Sequence, residues 1–253
     1  MIVIREDKVL NVRRMTIVGV LGGISIVLGM TPLGFIPVGP TRATIMHIPV
    51  IIGAIMEGPI VGGLIGLIFG LFSVFQAMTN PTPVSFVFLN PVISILPRVL
   101  IGIVTYYIYM LSKGLGEKKS FWILNLIWGA IIFYLGYGIY TNIKGNLSIW
   151  DLIINIVLML LTLGIGIYGH KKFRNKAMDV VMATAAGTLT NTIGVLSSIY
   201  FIYGEKFVGK LGQNPDMSRK IIFGIGITNG IPEIIIGIIV VVNVIAALKS
   251  RVK

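Results

Sequence analysis

The sequence predicts an all-α integral membrane protein, and three observations support this prediction. Charged residues make up 12% of the 253-residue chain, about half of the roughly 25% found in an average soluble protein. Apolar residues make up 55%, and the mean hydropathy is +0.94. Long uncharged stretches follow one another along the chain, several of them near the about 20 residues that a helix needs to cross a bilayer. These values exclude a soluble globular protein and a disordered chain.

About eight helices are predicted between clusters of charged residues, and residues 1–253 form a single transmembrane domain. Their approximate bounds are 14–30, 43–56, 59–79, 91–112, 120–141, 151–169, 178–203 and 221–248. Lys and Arg are concentrated on the side of the membrane that holds the N-terminus, so both termini are predicted to be cytoplasmic. The basic start also fits a cleaved signal peptide, but the sequence after the first apolar run is a poor cleavage site.

The composition also excludes several kinds of function. The chain has no Cys, which removes disulfides, thiol nucleophiles and thiolate metal sites. The net charge of +12 would suggest nucleic acid binding in a soluble protein, but here it orients the chain in the membrane. An intramembrane enzyme is disfavoured, because neither paired carboxylates nor a metal-binding cluster occurs near one face. We therefore expect no enzyme activity, no cofactor, no metal and no nucleic acid partner.

Arg98 is a charged residue inside the fourth predicted helix. An arginine at mid-span costs roughly 2.5–3.5 kcal/mol on the insertion scale, so it needs a partner or a polar cavity. A substrate anion could be that partner through a bidentate contact. A structural pair with Glu233, or a side chain that reaches the outer surface, would also account for it.

Glu233 is the only charged residue in the last predicted helix. It follows Thr228-Asn229-Gly230-Ile231-Pro232, in which Asn-Gly is typical of turns and proline prefers a first helical position. We therefore expect a break or kink, with a half-helix that begins at Pro232 and points its amides into the membrane interior. Glu233 could bind substrate together with Asn229, or it could cap those amides.

Other polar side chains complete the candidate substrate site. Asn191 lies in a polar stripe of the seventh helix, where hydroxyls can bond back to their own helix but an amide is harder to satisfy. The remaining candidates lie around the outer connections: Thr41, Arg42, His47, Gln76 and Asn90. A lone histidine such as His47 could equally be a structural residue.

The first helix and its outer connection each carry one feature that indicates a contact, either with a pocket or with another helix. Residues 31–42 hold three prolines and two glycines, which is typical of a stiff connector or of a lid over a pocket. Gly19 and Gly23 form a small-xxx-small pair that allows another helix to approach closely, either within the chain or in a partner protein.

Together these segments resemble the substrate-binding S component of energy-coupling factor (ECF) vitamin transporters. The similar segments are 36–40, 43–54, 58–62, 96–102, 187–192 and 229–233, and the resemblance covers about residues 10–112 and 178–250. It implies a bundle of six helices, an outward-facing vitamin pocket with residues 33–42 as its lid, and a plasma membrane location in a bacterium or archaeon. It also implies assembly with a membrane coupling subunit, through Gly19 and Gly23, and with two cytoplasmic ATPases.

Residues 113–177 depart from this family, because two additional helices are inserted between its fourth and fifth helices. The pair at 120–141 and 151–169 carries aromatic residues near its ends and few polar atoms, so we expect a peripheral hairpin that does not line the pocket.

The expected function is therefore capture of a water-soluble vitamin for ATP-driven uptake. The segments are more similar to the pantothenate and pyridoxine branches of the family, and a carboxylate would suit Arg98, so pantothenate is the first choice. Pyridoxine and hydroxymethylpyrimidine are the alternative substrates. A stand-alone secondary transporter that uses Arg98 and Glu233 for ion coupling is the alternative function.

Overall fold

A computed structural model describes residues 11–38, 41–114 and 178–250, together with scattered helical residues between 126 and 164. In chain order the elements are α1 Val12–Met30, β1 Phe35–Val38, β2 Thr41–Thr44, α2 Ile48–Glu57, α3 Pro59–Thr79, α4 Pro91–Ser94, α5 Leu96–Gly114, α6 Met178–Lys210 and α7 Ser218–Ser250. Short 3₁₀ turns lie at Pro32–Gly34, Ser85–Leu89 and Pro215–Met217.

The described residues form an all-helical membrane bundle, apart from one short hairpin. Helix α4 is a single turn that leads through Ile95 into α5, and Pro91–Lys113 is long enough to count as one span. Counted in this way, the described part of the chain has six helices, five of which have the length and composition to cross a membrane. The predicted fold class is confirmed, but the count of eight is not supported. The helices predicted at 120–141 and 151–169, with the inserted hairpin 113–177, fall mostly outside the described residues.

The helix ends follow local sequence signals. Asn11 caps α1, since its side-chain oxygen accepts a hydrogen bond from the Arg14 N–H at 2.9 Å. Gly58 separates α2 from α3 with φ of 100°, a conformation that favours glycine, and Pro59 then starts α3. Gly58 and Pro59 thus separate α2 from α3 at the boundary between the helices predicted at 43–56 and 59–79.

The connection after α1 is a two-stranded antiparallel hairpin. Its register pairs Phe35 with Thr44 and Val38 with Thr41. The hairpin lies between α1 and α2 in the chain, and β2 packs against α7. Residues 33–42, predicted to be a stiff connector or a lid, thus include most of this hairpin.

Helices α3 and α5 approach each other closely through glycines. A Cβ at Gly102 would overlap the backbone of Gly62, and a Cβ at Gly66 would overlap the carbonyl of Arg98. At Gly70, a Cβ would lie 2.8 Å from the Cα of Ile95. Small residues allow helix backbones to pack at this distance in membranes, and this contact fixes the start of α5.

Helix α7 runs without interruption from Ser218 to Ser250, with Pro232 inside it. The predicted break, with a half-helix that begins at Pro232, is therefore wrong, whereas the alternative of a kink stays a prediction. A membrane helix can hold a proline because neighbouring helices and polar side chains stabilise the turn around it. Helix α6 packs on this turn, since a Cβ at Gly230 would lie 3.4 Å from the Thr192 side chain.

Helix α6 is longer than predicted. It continues past residue 203 to Lys210, and its backbone leaves helical geometry at Tyr203, where φ is −136° and ψ is 15°. The segment after this bend packs with the 3₁₀ turn Ser85–Leu89 and the start of α7 in a small hydrophobic core that includes Val87, Phe207 and Ile222. The main core, which includes Ile51, Ile65, Ile101 and Val241, occupies the rest of the bundle.

Candidate functional site

Polar side chains are buried together where α5, α6 and α7 meet the start of α2. This group, called here the polar cluster, consists of His47, Arg98, Thr188, Asn191, Thr192 and Glu233. His47 is fully buried, Arg98 is 6% exposed and Glu233 is 4% exposed. Because burying polar groups in an apolar bundle is costly unless they are bonded, each of them requires a partner.

Arg98 is a buried cation that forms no ion pair within the described part of the chain. Its Nη1 donates a hydrogen bond to the Ile93 carbonyl, and its guanidinium carbon lies 5.4 and 5.6 Å from the ring centres of Phe69 and Phe88. Its Nε, also buried, has no hydrogen-bond partner there. The recorded ion pairs join Arg13 and Arg14 to Glu57. The direct pair with Glu233 that the sequence allowed is not formed, and the burial of Arg98 contradicts a side chain that reaches the surface.

Both carboxylate oxygens of Glu233 accept hydrogen bonds from protein donors. Its Oε1 accepts hydrogen bonds from the N–H and the hydroxyl of Thr44, at 2.7 and 2.9 Å. Its Oε2 accepts one from the Thr192 hydroxyl at 3.0 Å. The alternative role as a local cap does not apply, because α7 has no free amides at this point. Arg98 is still close enough to interact electrostatically with Glu233 and with His47.

His47 immediately precedes α2 and points into the bundle. Its Nε2 lies 3.1 Å from the Thr188 hydroxyl oxygen, while its Nδ1 is buried without a partner among the described residues. A Cβ at Gly237 of α7 would lie 3.9 Å from Nε2. The imidazole is therefore held between α6 and α7.

Asn191 and Asn229 each have a side-chain oxygen, Oδ1, that is buried without a hydrogen-bond partner in the described part of the molecule. Asn191 stands between Gly187, which packs on Thr105 of α5, and Gly194, which packs on Pro97. Asn191 therefore lies on the face of α6 that carries it towards α5. Asn229 is half-buried on α7, one turn before Glu233.

The hydroxyls of the predicted polar stripe divide into two groups. Those of Thr184 and Ser198 bond back to carbonyls of their own helix, at 2.7 Å each, and so serve α6 itself. Thr188, the remaining hydroxyl of the stripe, contacts His47 outside its own helix. Thr192, which was not part of the predicted stripe, bonds to Glu233 of α7. In the stripe it is the side-chain amide of Asn191 whose oxygen has no hydrogen-bond partner among the described residues, as the sequence argument expected.

Gln76 and Asn90, which were also predicted to be site residues, lie outside the polar cluster. Gln76 donates a hydrogen bond to the Gly29 carbonyl at 3.1 Å and so joins α3 to α1. Asn90 caps α4, and its amide nitrogen lies 3.5 Å from the Tyr203 hydroxyl. Thr41 and Arg42 belong to β2, and their side chains fall outside the described part of the structure.

Sequence reasoning missed Thr44, Thr192 and Thr105. Thr44 and Thr192 bind Glu233, although Thr44 is separated from it by 189 residues. Thr105 is fully buried against Gly187, and its hydroxyl oxygen has no partner among the described residues. The intramembrane carboxylate was a signal that hydroxyl donors were needed, but nothing in the sequence indicates which ones.

Gly19 and Gly23 face outward on α1. A Cβ at either position would meet nothing within 4 Å in the described part of the chain, whereas one at Gly22 would meet Ile68 and one at Gly29 would meet Phe72. Helix α1 is also the least buried of the five spans. Within the described residues, α1 therefore packs against the rest of the bundle at Gly22 and Gly29, whereas Gly19 and Gly23 have no neighbour in contact.

Comparison with known proteins identifies the family of this chain. The chain is similar to a pantothenic acid transporter, PanT, of Lactococcus lactis subsp. cremoris, with 26% identity over 227 residues that cover 84% of this chain and 81% of the relative. A pantothenate transporter, PanT, of Leuconostoc mesenteroides subsp. mesenteroides is 32% identical over 111 residues, which cover 44% of this chain and 49% of that protein. The family model described as "ECF transporter, substrate-specific component" matches residues 13–154, more than half of the chain. The chain therefore belongs to the family of substrate-specific components of ECF transporters.

Proposed function

We propose that this protein is the substrate-binding subunit of an ECF-type importer and that it captures pantothenate from outside the cell for ATP-driven uptake. Its family is one of transporter components, not of enzymes. Two relatives named as pantothenate transporters support this substrate. The observation that carries the proposal is the set of unsatisfied polar atoms in and beside the polar cluster.

These atoms describe the chemistry of a complementary ligand. Arg98 offers a buried positive charge and an N–H without a partner, which favour a carboxylate. The Oδ1 atoms of Asn191 and Asn229 are acceptors, which favour hydroxyl or amide N–H donors. Pantothenate carries a carboxylate, two hydroxyls and a secondary amide. Pyridoxine and hydroxymethylpyrimidine have hydroxyl groups but no carboxylate, so they would leave Arg98 without a counter-ion.

We infer that Arg98, Asn191 and Asn229 contact the substrate. Glu233 was a candidate for the same role, but both of its oxygens are already bonded to threonines. The substrate contacts expected of Thr41, Arg42, His47, Gln76 and Asn90 stay predictions.

Calorimetric titration of the purified protein tests the substrate. Pantothenate, pyridoxine and hydroxymethylpyrimidine would be titrated separately into ligand-free protein in the same detergent. We expect saturable binding of pantothenate and at least about a hundredfold weaker binding of the two alternatives, since neither supplies an anion to Arg98. No binding of pantothenate would refute this choice of substrate.

The proposed partners are a membrane coupling subunit and two cytoplasmic ATPases, in the plasma membrane, with both termini of this chain in the cytoplasm. The outward face of α1, with Gly19 and Gly23, would admit a helix of the coupling subunit, because a Cβ at either glycine would meet nothing within 4 Å among the described residues. Uptake into liposomes tests this assignment. We expect uptake only when the partners and internal ATP are present, and proton-driven uptake by this chain alone would instead establish a secondary transporter.

A further inference from the structure

Glu233 joins three elements of the bundle through its two carboxylate oxygens. It binds Thr44 of β2 twice and Thr192 of α6 once, while it is itself part of α7. The carboxylate thereby fastens the last residue of the hairpin to the two longest helices.

The register of the hairpin leaves the N–H of Thr44 free for this contact. In an antiparallel pair, alternate residues turn their N–H and C=O groups towards the partner strand. The Ile45 N–H donates to the Gly34 carbonyl at 3.1 Å, so Ile45 is one of the residues that bond across the hairpin. Thr44, the next residue along, therefore directs its N–H away from β1, and this N–H donates to Glu233.

The two ends of the hairpin are held in different ways. At the end near α1, a Cβ at Gly34 would overlap the Leu28 carbonyl, so the backbones touch. At the other end, the attachment is made by hydrogen bonds to one side chain. Thr44 also lies only three residues before His47, so this attachment is at the edge of the polar cluster.

We propose that Glu233 is a positioning residue, which fastens the hairpin beside the polar cluster and does not contact the substrate with its carboxylate. Threonine donors already occupy three of the about four acceptor sites of the carboxylate, so a ligand hydroxyl would find at most one site, on Oε2. This inference rests on the proposed function, because the access that the hairpin would control is that of the substrate.

Hydrogen exchange of the full-length protein, measured by mass spectrometry without any vitamin, tests the attachment. Glu233→Ala should speed exchange of the Thr44 amide about tenfold or more, since the amide loses its acceptor. Glu233→Gln should change it less than about threefold, because its amide oxygen can still accept from Thr44 and its NH₂ can donate to Thr192. Thr228→Val is the matched control on α7, where the Thr228 hydroxyl bonds only to carbonyls of its own helix.

Binding kinetics with pantothenate separate a positioning role from direct contact. If the hairpin is fastened by Glu233, Glu233→Ala should speed association and dissociation by similar factors and leave Kd within about threefold. If the carboxylate touches the substrate, dissociation alone should accelerate. In that case Glu233→Gln should weaken binding as strongly as Glu233→Ala, which would overturn the inference.

The two readouts also keep this inference distinct from the proposed function. Unchanged exchange in Glu233→Ala, with normal pantothenate binding by the wild type, would refute the attachment and leave the function standing. Faster exchange, in a protein that binds no pantothenate, would support the attachment and refute the substrate. If Glu233→Ala does not fold, Glu233→Leu fills a similar volume but offers no acceptor to the Thr44 amide, and unchanged exchange of that amide in Glu233→Leu would overturn the inference.

Discussion

Replacing Arg98 by Met should weaken substrate binding strongly and change the stability of the free protein little. In the free protein, the bond to the Ile93 carbonyl contributes about 1.5–3 kcal/mol. The contacts with Phe69 and Phe88 contribute about 0.5–2 kcal/mol each. Placing an arginine in the membrane costs roughly 2.5–3.5 kcal/mol. At the middle of their ranges these terms differ by less than about 2 kcal/mol, and this is the change in the free energy of unfolding that we expect.

Arg98→Met should change the free energy of substrate binding more than it changes stability, because the charge of Arg98 is buried away from water. Removing one partner of a buried charge pair costs about 2–5 kcal/mol. This corresponds to an increase in Kd of about 30- to 4,000-fold. Arg98→Lys should give an intermediate loss, since it keeps the charge but not the planar fork that binds a carboxylate at two points.

Calorimetric titration with pantothenate and thermal unfolding of the same detergent samples would measure both quantities. Arg13→Met is the matched control, because Arg13 is 76% exposed and is paired with Glu57 near the start of α1. The reasoning is refuted if Arg98→Met binds pantothenate within about threefold of the wild type. A large loss of stability with unchanged affinity would show that Arg98 serves the fold alone.

Three further predictions concern the bundle and its partners. Gly19→Leu should block assembly with the coupling subunit in a pull-down and leave vitamin binding intact. Gly22→Leu should instead destabilise the isolated protein, because the new leucine side chain would overlap Ile68 of α3. Deletion of residues 116–172, replaced by a short linker, should preserve pantothenate affinity in titration, and loss of binding in a folded deletion variant would place the insertion in the pocket. Gly102→Ala should lower the free energy of unfolding by about 1–3 kcal/mol or more, since its Cβ would overlap the backbone of Gly62. Gly19→Ala, which meets nothing in the described part of the chain, is the control for that measurement.

The sequence predicted the elements whose signals are local. Uncharged stretches of spanning length gave the helices, and the helix starts predicted at Pro59 and Pro91 are confirmed. Arg98 and Asn191 were also singled out correctly as polar groups that need special surroundings, and burial of Arg98 was one of the alternatives that the sequence allowed.

Predictions that depended on contacts between distant residues were less successful. Asn229, Gly230 and Pro232 are turn signals in water, but inside the bundle the helix continues through them. In the membrane interior every backbone group must be bonded within the protein, and a continuous helix does this best. The contact of Glu233 with Thr44 could not be inferred either, since it depends on how the hairpin lies against α7.

The close contact between α3 and α5 fixes the position of the backbone at residue 98, but it does not determine the chemistry of the side chain at that position. A Cβ at Gly66 would overlap the carbonyl of Arg98, so packing against α3 sets the position of the backbone at residue 98. A new side chain at 98 would therefore be presented from the same point, whereas a larger residue at 66 would move that point. In evolution, or in the laboratory, ligand preference can change by single substitutions at 98 while the glycines that support it stay invariant.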